Sequence, residues 1–261
     1  MNEAKAHQIA AASRDTLSGE KKTLALEIGP GAGSLTIQLS RLFDQVLALE
    51  IDPHLIGVLE ESLAGYNNIK VINTDAMKFD YKRLEAEYPE YEIAVCSNLP
   101  YYITSELIMG FLESHVRLSS VTVLIQKEAC NRFIAVPGSP DYGSITASVS
   151  YYATAKKLFL VGPGNFIPRP QVDSAVLQLI PHNHAPVSVQ NEDLLFRVIR
   201  GAFSARRKTL LNTLSTYFSP HFSKEDVQNI LLSCGIDPTR RGETLQLVEF
   251  AKIADAFFAK S

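Results

Sequence analysis

The first 180 residues alternate short apolar runs with segments in which apolar positions recur every three or four residues. The runs predict buried strands at 24–28, 46–50, 69–72, 93–96 and 121–125. The segments between them carry helical spacing and predict helices at 5–17, 34–43, 53–63 and 105–113. This alternation is typical of an α/β fold built on an open, mostly parallel sheet with helices on both faces.

Two further apolar runs, at 155–159 and 174–179, indicate an antiparallel hairpin. The loop between them contains several prolines and glycines and one aromatic residue, Phe166. The two aromatic residues before the hairpin, Tyr151 and Tyr152, are expected to pack in the sheet.

The pattern changes after residue 180. Turn residues at 181–189 indicate a linker. Helical spacing then predicts helices at 191–204, 206–217, 224–234 and 244–258. We therefore expect an α/β domain at 1–183 and a small all-helical C-terminal domain at 184–261.

Composition narrows the class of protein without naming a reaction. A chain of 261 residues with 46% hydrophobic and 20% charged residues can bury a full core and is typical of a globular protein. No apolar run approaches the ~18 residues that indicate a membrane span, and the N-terminus lacks a signal-peptide pattern. Three dispersed cysteines without metal-ligand spacing indicate reduced thiols in a cytoplasmic protein, with Cys96 as a buried hydrophobe. We expect no bound metal. We also expect a monomer, because the sequence has no obvious dimerisation element.

Charge is distributed unevenly along the chain. The net charge is −3; residues from Ala185 onward carry ten basic and eight acidic side chains (+2), and the remainder carries 15 and 20 (−5). A contact with nucleic acid must therefore rest on a local patch. The strongest patch is Arg206, Arg207 and Lys208, at the start of a predicted helix. By charge alone it fits a solvated face and a phosphate contact equally well.

A glycine-containing turn follows the first predicted strand. Gly29, Gly31 and Gly33 lie between that strand and a helix, where glycine lets the backbone approach a ligand and leaves the helix N-terminus free to bind it. The third glycine comes one residue too early for the dinucleotide fingerprint GxGxxG. By itself the motif also fits a tight turn without a ligand.

Acidic residues end the next two predicted strands. Glu50 lies 17 residues after Gly33, where a carboxylate can accept hydrogen bonds from both ribose hydroxyls, and Ile51 follows it. Asp75, followed by Ala76, can accept a hydrogen bond from an adenine amino group. Because ligands bind at the carboxyl edge of such sheets, the three features together favour a nucleoside-containing ligand over a plain turn and two solvated acids.

A polar and aromatic stretch, Ser-Asn-Leu-Pro-Tyr-Tyr at 97–102, ends the fourth predicted strand. The Asn98 side-chain oxygen and the carbonyl of Leu99 or Pro100 can hold the amino group of a planar base, and Tyr101 can stack on it. Hydrogen bonds to both amino hydrogens would favour a pyramidal nitrogen with an exposed lone pair. An asparagine at a strand end is also a common turn former.

Residues 26–36, Glu50, Asp75–Ala76 and 97–102 resemble class I S-adenosylmethionine-dependent methyltransferases, and NLPY resembles the enzymes that methylate the exocyclic amine of adenine in ribosomal RNA. Segments 203–210 and 235–243 resemble the small-subunit rRNA adenine dimethyltransferases. The resemblance implies a Rossmann-like class I methyltransferase sheet in a catalytic domain and a helical domain that recognises RNA. It also implies two methyl groups on N6 of each of two adjacent adenosines near the 3′ end of small-subunit rRNA, within an immature subunit.

The resemblance also implies roles for single residues. S-adenosylmethionine would contact Gly29, Gly31, Gly33, Glu50, Ile51, Asp75, Ala76 and Asn98. Phe166 would stack on the adenine face opposite Tyr101, although an aromatic in this loop also fits the core. Arg206, Arg207 and Lys208 would contact RNA phosphates, and Arg240 and Arg241 would do so more weakly.

The sequence departs from the family at its start. Family members carry a Gly-Gln-Asn-Phe-Leu-like segment before the first helix, whereas this sequence begins at Met1-Asn2-Glu3. We expect weaker cofactor binding, or a pocket open on one side, whether the chain was started late or manages without the segment.

Three other functions fit parts of the pattern. A methyltransferase of the erythromycin-resistance group would modify large-subunit rRNA through similar motifs, but segment 235–243 and the modest isoelectric point disfavour it. An RNA-binding assembly factor with secondary catalysis would carry the same motifs. A nicotinamide-dependent dehydrogenase is disfavoured by the glycine spacing.

Overall fold

The computed structural model describes residues 1–260. Its centre is a seven-stranded sheet in the order β3-β2-β1-β4-β5-β7-β6. The strands are β1 Lys22–Ile28, β2 Gln45–Glu50, β3 Ile69–Asn73, β4 Tyr91–Asn98, β5 Leu118–Gln126, β6 Ala153–Val161 and β7 Ser174–Pro181. The first five are parallel, and β7 pairs antiparallel with both β5 and β6. The predicted α/β fold and its terminal hairpin are confirmed.

The helices follow the strands as the periodicity predicts, with three additions. They are α1 Glu3–Arg14, α2 Ser34–Leu42, α3 Pro53–Ser62, α4 Arg83–Glu87, α5 Thr104–Glu113, α6 Lys127–Phe133, α7 Ser144–Tyr152, α8 Glu192–Ala202, α9 Leu210–Phe218, α10 Lys224–Ser233 and α11 Leu247–Phe258. The periodicity does not predict α4, α6 or α7.

The order of the strands creates a crevice beside β1. The chain runs outward from β1 to β2 and β3, returns to β4 on the other side of β1, and continues to β5. Because parallel crossovers are right-handed, α2 and α3 cover one face of the sheet and α5 the other. Ligands in sheets of this type bind beyond the carboxyl ends of the strands, where the winding direction reverses. That point lies here between β1 and β4.

The chain forms two compact units, and the division differs from the predicted boundary. One unit contains Met1–Cys130 and Ala153–Pro181, and the other contains Asn131–Tyr152 and His182–Ser261. The segment 131–152 was expected in the first domain. It joins the second unit because Tyr142, Ala147 and Tyr151 are buried in the core of that unit.

Tyr151 and Tyr152 do not pack in the sheet, and that prediction is wrong. They end α7 and pack against Phe196 of α8, with ring centroids 5.5 and 5.3 Å from it. The Tyr152 hydroxyl donates to the Glu192 carboxylate at 2.6 Å. Two aromatic residues before a β-rich segment resemble a strand, but these contacts place them in a helical core.

The second unit is all helical within the part of the chain that the structure describes. One predicted helix in it begins late, because the chain is extended at Thr209 (φ −74°, ψ 158°) and α9 starts at Leu210. The unit also contains a close backbone approach. A Cβ atom at Gly242 would lie 2.6 Å from the carbonyl oxygen of Ala202, so only glycine fits there.

Residues 1–260 contain neither a helix suited to a membrane nor a disulfide. No helix among them combines the length and the apolar character that crossing a bilayer requires. All three cysteines carry free thiols, and Cys96 is fully buried, as expected from the sequence. Burial raises the pKa of the Cys96 thiol, which excludes a thiolate nucleophile there at neutral pH.

Candidate active site

The glycine turn after β1 requires its glycines. Gly29, Gly31 and Gly33 have φ values of +65°, +58° and +84°, a region that side chains other than glycine rarely adopt. The Gly29 amide donates to the carbonyl of Leu49 at 2.9 Å, which ties the turn to β2. Gly33 begins α2 without a side-chain cap, so amides of the first helical turn are available to a ligand.

The end of β2 presents a buried carboxylate and an exposed apolar side chain. Glu50 is 4% exposed, and its Oε1 accepts a hydrogen bond from the Asp52 amide at 2.9 Å. Asn73 fixes the strand end by donating to the carbonyl oxygens of Glu50 at 2.8 Å and Ile51 at 3.3 Å. Ile51 is largely exposed. The carboxylate is thus held in place beside an uncovered apolar surface.

The segment after β3 adds a second carboxylate. Asp75 Oδ1 accepts from the Met77 amide at 2.9 Å, and Lys78 Nζ lies 3.7 Å from Oδ2. The Ala76 carbonyl accepts a hydrogen bond from the Tyr81 hydroxyl at 2.7 Å. Burial raises the pKa of Tyr81, so its hydroxyl remains a donor at physiological pH. These bonds fix the turn that carries Asp75.

The three strand ends fit a nucleoside cofactor such as S-adenosylmethionine. The glycine turn has no Cβ to oppose a close approach at Gly29 or Gly31. The Glu50 carboxylate is ordered and only slightly exposed, as a partner for ribose hydroxyls needs to be. Asp75 supplies an acceptor and Ile51 an apolar surface for a purine. Each predicted cofactor residue therefore lies at the carboxyl edge of the parallel strands.

A cavity of about 390 Å³ gathers every residue that the sequence predicted for the acceptor. It lies in the first unit and is lined by Met1, Asn98, Leu99, Pro100, Tyr101, Phe166, Ile167, Pro168 and Pro170. Phe166 is 68 residues from Asn98 along the chain. The amide side chain, the backbone carbonyls and two aromatic rings thus border one space large enough for a nucleobase.

Hydrogen bonds within the stretch at 97–102 distinguish the two candidate carbonyls. The Pro100 carbonyl already accepts from the Thr104 hydroxyl at 3.0 Å and from the Ile103 amide at 3.3 Å. Among residues 1–260 no hydrogen bond to the Leu99 carbonyl is found. Leu99 is anchored by its own amide, which donates to Leu124 at 3.2 Å. The free acceptor beside Asn98 is therefore the Leu99 carbonyl.

A buried serine couples this stretch to the glycine turn. The Ser97 hydroxyl donates to the Ile28 carbonyl at 2.6 Å and accepts from the Ile28 amide at 3.3 Å. The backbone register between β1 and β4 ends at Leu26 and Val95, so this side chain replaces the next ladder bonds. Asn98 and Gly29 directly follow the two bonded residues. Ser97 therefore links the end of β4, which leads into the cavity stretch, to the end of β1, which leads into the glycine turn.

A second serine orients the ring of Tyr101. The Tyr101 hydroxyl and the Ser174 hydroxyl are 3.1 Å apart, and Ser174 is fully buried at the start of β7. The loop that carries Phe166 ends just before that strand. On the other side of the loop, the Asn2 amide donates to the Asn165 carbonyl at 2.7 Å. Sequence reasoning included Ser97 in the stretch at 97–102 without giving it a role and did not single out Ser174, since no spacing links either serine to its partner.

One buried carboxyl group lies beneath the site. Glu27 is 1% exposed, and its Oε2 has no hydrogen-bond partner among residues 1–260. Burial, with a smaller contribution from the charge of Glu50, raises the pKa of Glu27 from 4.5 to about 8. The Glu27 carboxyl is therefore protonated at neutral pH.

The raised pKa of Glu27 predicts a pH-dependent stability. Between pH 4.5 and about 8 the unfolded chain releases this proton while the folded chain retains it. The free energy of unfolding therefore falls as pH rises, by up to about 1.4 kcal/mol per pH unit for this one group. In Glu27→Gln that contribution is absent. Urea denaturation of both proteins at several pH values measures the difference, and equal slopes would contradict it.

The three residues of the basic patch at 206–208 differ in their contacts. Arg206 does not begin a helix; its Nε lies 3.1 Å from a Glu243 carboxylate oxygen, and its guanidinium also donates to the Pro140 carbonyl. Arg207 and Lys208 have exposed side chains. All three side chains are exposed, that of Arg206 by 60%, but within residues 1–260 only Arg206 is paired with a carboxylate of the second unit.

Arg240 has an internal role. Its guanidinium contacts both oxygens of Glu249, at 2.5 and 3.2 Å, and donates to the Thr244 carbonyl at 2.8 Å. The interaction lowers the pKa of Glu249 despite its partial burial. Arg241 is exposed.

The described residues contain no arrangement of three or more histidine, cysteine, aspartate or glutamate side chains that could hold a metal ion.

Known proteins are similar to this chain in both sequence and fold. Residues 2–253 match the family model described as "Ribosomal RNA adenine dimethylase". Two curated relatives carry the name "Ribosomal RNA small subunit methyltransferase A". The Oceanobacillus iheyensis protein is 42% identical over 240 residues, which are 91% of this chain and 82% of the relative. The Alkaliphilus oremlandii protein is 45% identical over 231 residues, which are 88% and 80%.

Two solved structures share the fold over nearly the whole chain. A dimethyladenosine transferase from Plasmodium falciparum has a TM-score of 0.78 and 27% identity, covering 100% of this chain and 98% of that one. The 23S rRNA methyltransferase ErmE has a TM-score of 0.69 and 22% identity, with 98% of both chains covered. At that identity the second match shows the fold alone.

Proposed function

Because this chain belongs to the ribosomal RNA adenine dimethylase family, we propose that it transfers methyl groups from S-adenosylmethionine to N6 of two adjacent adenosines near the 3′ end of small-subunit rRNA. We propose that the acceptor is the rRNA of an immature small subunit in the cytoplasm. The chain would act on it as a monomer. One observation carries the proposal: Asn98, Leu99, Tyr101 and Phe166 border a single base-sized cavity.

The cofactor residues would hold the methyl donor at the carboxyl edge of the parallel strands. The glycine turn at Gly29–Gly33 would admit the amino-acid part, Glu50 would accept from both ribose hydroxyls, and Asp75 would accept from the adenine amine. Ile51 and Ala76 would border the purine. When bound, S-adenosylmethionine supplies an electrophilic methyl group on a positively charged sulfur.

The cavity residues would activate the adenine amine. Its nitrogen is a poor nucleophile because the lone pair is delocalised into the ring. Hydrogen bonds from the two amino hydrogens to the Asn98 side-chain oxygen and the free Leu99 carbonyl would favour a pyramidal nitrogen. Tyr101 and Phe166 would stack on the two faces of the base. Placement and electrostatics would supply most of the rate, since the proton becomes acidic once the nitrogen is alkylated.

The adenosine must leave its stack to enter the cavity, at a cost of a few kcal/mol in enzymes of this kind. Contacts elsewhere on the RNA would offset that cost. We assign part of this binding to Arg207 and Lys208 of the second unit, because their exposed charges have no ion pair within residues 1–260, whereas Arg206, which is also exposed, is paired with Glu243.

A methyl-transfer assay tests the proposal directly. Labelled S-adenosylmethionine and small subunits that lack the modification are incubated with the chain, and the modified bases are mapped. We expect dimethylation of two adjacent adenosines near the 3′ end of small-subunit rRNA. Absence of label in that RNA would overturn the proposal.

The alternatives from the sequence analysis are weaker. Large-subunit rRNA is not favoured as acceptor, because the curated relatives at 42–45% identity are named for the small subunit.

The variant Asn98→Ala distinguishes an assembly role with secondary catalysis from a mainly catalytic role. Normal subunit maturation with an inactive but folded protein would favour the assembly role.

The proposed RNA contact of Arg207 and Lys208 is tested by neutralising both side chains. The double variant Arg207→Gln/Lys208→Gln is expected to weaken binding to small subunits. It should also reduce the slope of log K against log salt by about one for each phosphate that the protein no longer neutralises. Lys252→Gln removes another exposed positive charge of the second unit and serves as the matched control. Equal slopes for the double variant and the control would refute the assignment.

A further inference from the structure

Of the two most exposed large hydrophobic residues within residues 1–260, one lines the proposed acceptor cavity and the other adjoins a lining residue in the sequence. Ile167 is 96% exposed and Tyr102 is 81% exposed, whereas the next, Val136, is 65% exposed. Ile167 lines the acceptor cavity. Tyr102 follows Tyr101, which also lines it. We call Tyr102 and Ile167 the apolar rim.

Each rim residue directly follows an aromatic residue that is proposed to stack on the adenine, Tyr101 before Tyr102 and Phe166 before Ile167. Tyr102 is the middle residue of a 3-10 turn at Tyr101–Ile103, which the Thr104 hydroxyl closes by donating to the Pro100 carbonyl at 3.0 Å. Ile167 follows Phe166, whose amide donates to Pro163 at 3.3 Å. Their exposure is therefore a property of ordered turns and not of the chain ends.

The surroundings of the rim favour RNA as the partner. The loop at 162–172 contains one charged residue, the exposed Arg169, and the stretch at 98–105 contains none. The exposed carboxylates Glu106 and Asp173 directly follow these two segments, so the contact would rest on base stacking and on Arg169. Apolar and aromatic side chains beside a positive charge are typical of surfaces on which unpaired bases stack.

We propose that the apolar rim contacts the nucleotides on either side of the target adenosine, with Tyr102 stacking on one neighbouring base and Ile167 inserting beside the other. An adenosine that leaves its stack exposes the faces of its two neighbours, and apolar side chains at the mouth of the cavity would cover them. The rim would thereby stabilise the extruded state. This inference rests on the proposed function, which places an adenosine of RNA in the cavity.

Kinetics with undermethylated small subunits separate this role from the chemistry. Tyr102→Ala is expected to raise KM for the subunits roughly 5- to 100-fold, the range for loss of a base-stacking aromatic, and Ile167→Ala to raise it less. Neither change should lower kcat more than about twofold, since Asn98 and Leu99 are untouched. Tyr102→Phe keeps the ring and should keep the wild-type KM. Leu160→Ala, which removes a half-exposed apolar side chain on β6, is the matched control.

Fluorescence provides a second measurement. In an oligoribonucleotide with two adjacent adenosines, 2-aminopurine replaces the adenosine next to the target. Stacking on Tyr102 would quench its emission when the wild-type chain or Tyr102→Phe binds, but not when Tyr102→Ala binds.

Two failures can be told apart. Wild-type KM values for Tyr102→Ala and Ile167→Ala, with unchanged 2-aminopurine emission in all proteins, would overturn the inference while the proposed function stands. A wild-type chain that methylates no small-subunit rRNA would overturn both.

Discussion

Asn98→Ala is expected to lower kcat for methyl transfer about 100- to 1000-fold, the range seen when one preorganised hydrogen-bonding group is removed from a reacting centre. The variant loses the side-chain oxygen that would hold one amino hydrogen of the adenine. The Leu99 carbonyl would then act alone, and the nitrogen lone pair would remain delocalised into the ring.

The fold should not be affected, because Asn98 is exposed and its side chain makes no hydrogen bond to another of residues 1–260. Its thermal midpoint is therefore expected to match that of the wild type. Asn229→Ala, the same substitution at an exposed position of α10, is the control and should keep wild-type kcat. A rate for Asn98→Ala within a few-fold of the control would exclude Asn98 from the reacting centre.

Glu50→Ala is expected to weaken S-adenosylmethionine binding about 100-fold or more, since two hydrogen bonds to a charged group contribute about 1.5–3 kcal/mol each. The effect should appear in the cofactor dissociation constant measured by calorimetry. Saturating cofactor should restore most of the rate, because Glu50 does not contact the acceptor cavity.

Two controls sharpen this test. Glu61→Ala removes an exposed carboxylate of α3 and should leave cofactor affinity unchanged. Glu50→Gln keeps one oxygen acceptor and should give an intermediate affinity. Wild-type affinity in Glu50→Ala would show that the ribose is held elsewhere. A lowered thermal midpoint would instead reveal the structural role of the bond from the Asp52 amide.

Local periodicity was sufficient for most of the elements. The apolar runs that end at Ile28 and Glu50 became buried parallel strands, because a strand covered on both faces needs apolar residues at successive positions. The motifs indicated the family, and the comparisons confirmed it. The role of each site residue remains a prediction until the variants are measured.

Helices without a strong apolar stripe were missed. The segment 144–152 carries small residues and ends in two tyrosines, a composition that favours a strand as much as a helix. Its helical state and its place in the second unit depend on packing against Phe196. The predicted start of α9 was also wrong, since the backbone is extended at Thr209 and the helix begins only at Leu210.

The sequence by itself determined the strand-helix alternation, the glycine-containing turn after the first strand and the polar residues at the strand ends, because each depends on near neighbours in the chain. Only the tertiary structure decided which distant residues meet. The order of the strands brings Phe166 to the cavity of Asn98, Ser97 to Ile28 and Ser174 to Tyr101. These contacts span about 70 residues of chain, and they depend on strand pairing across the sheet, which hydrophobic periodicity does not encode.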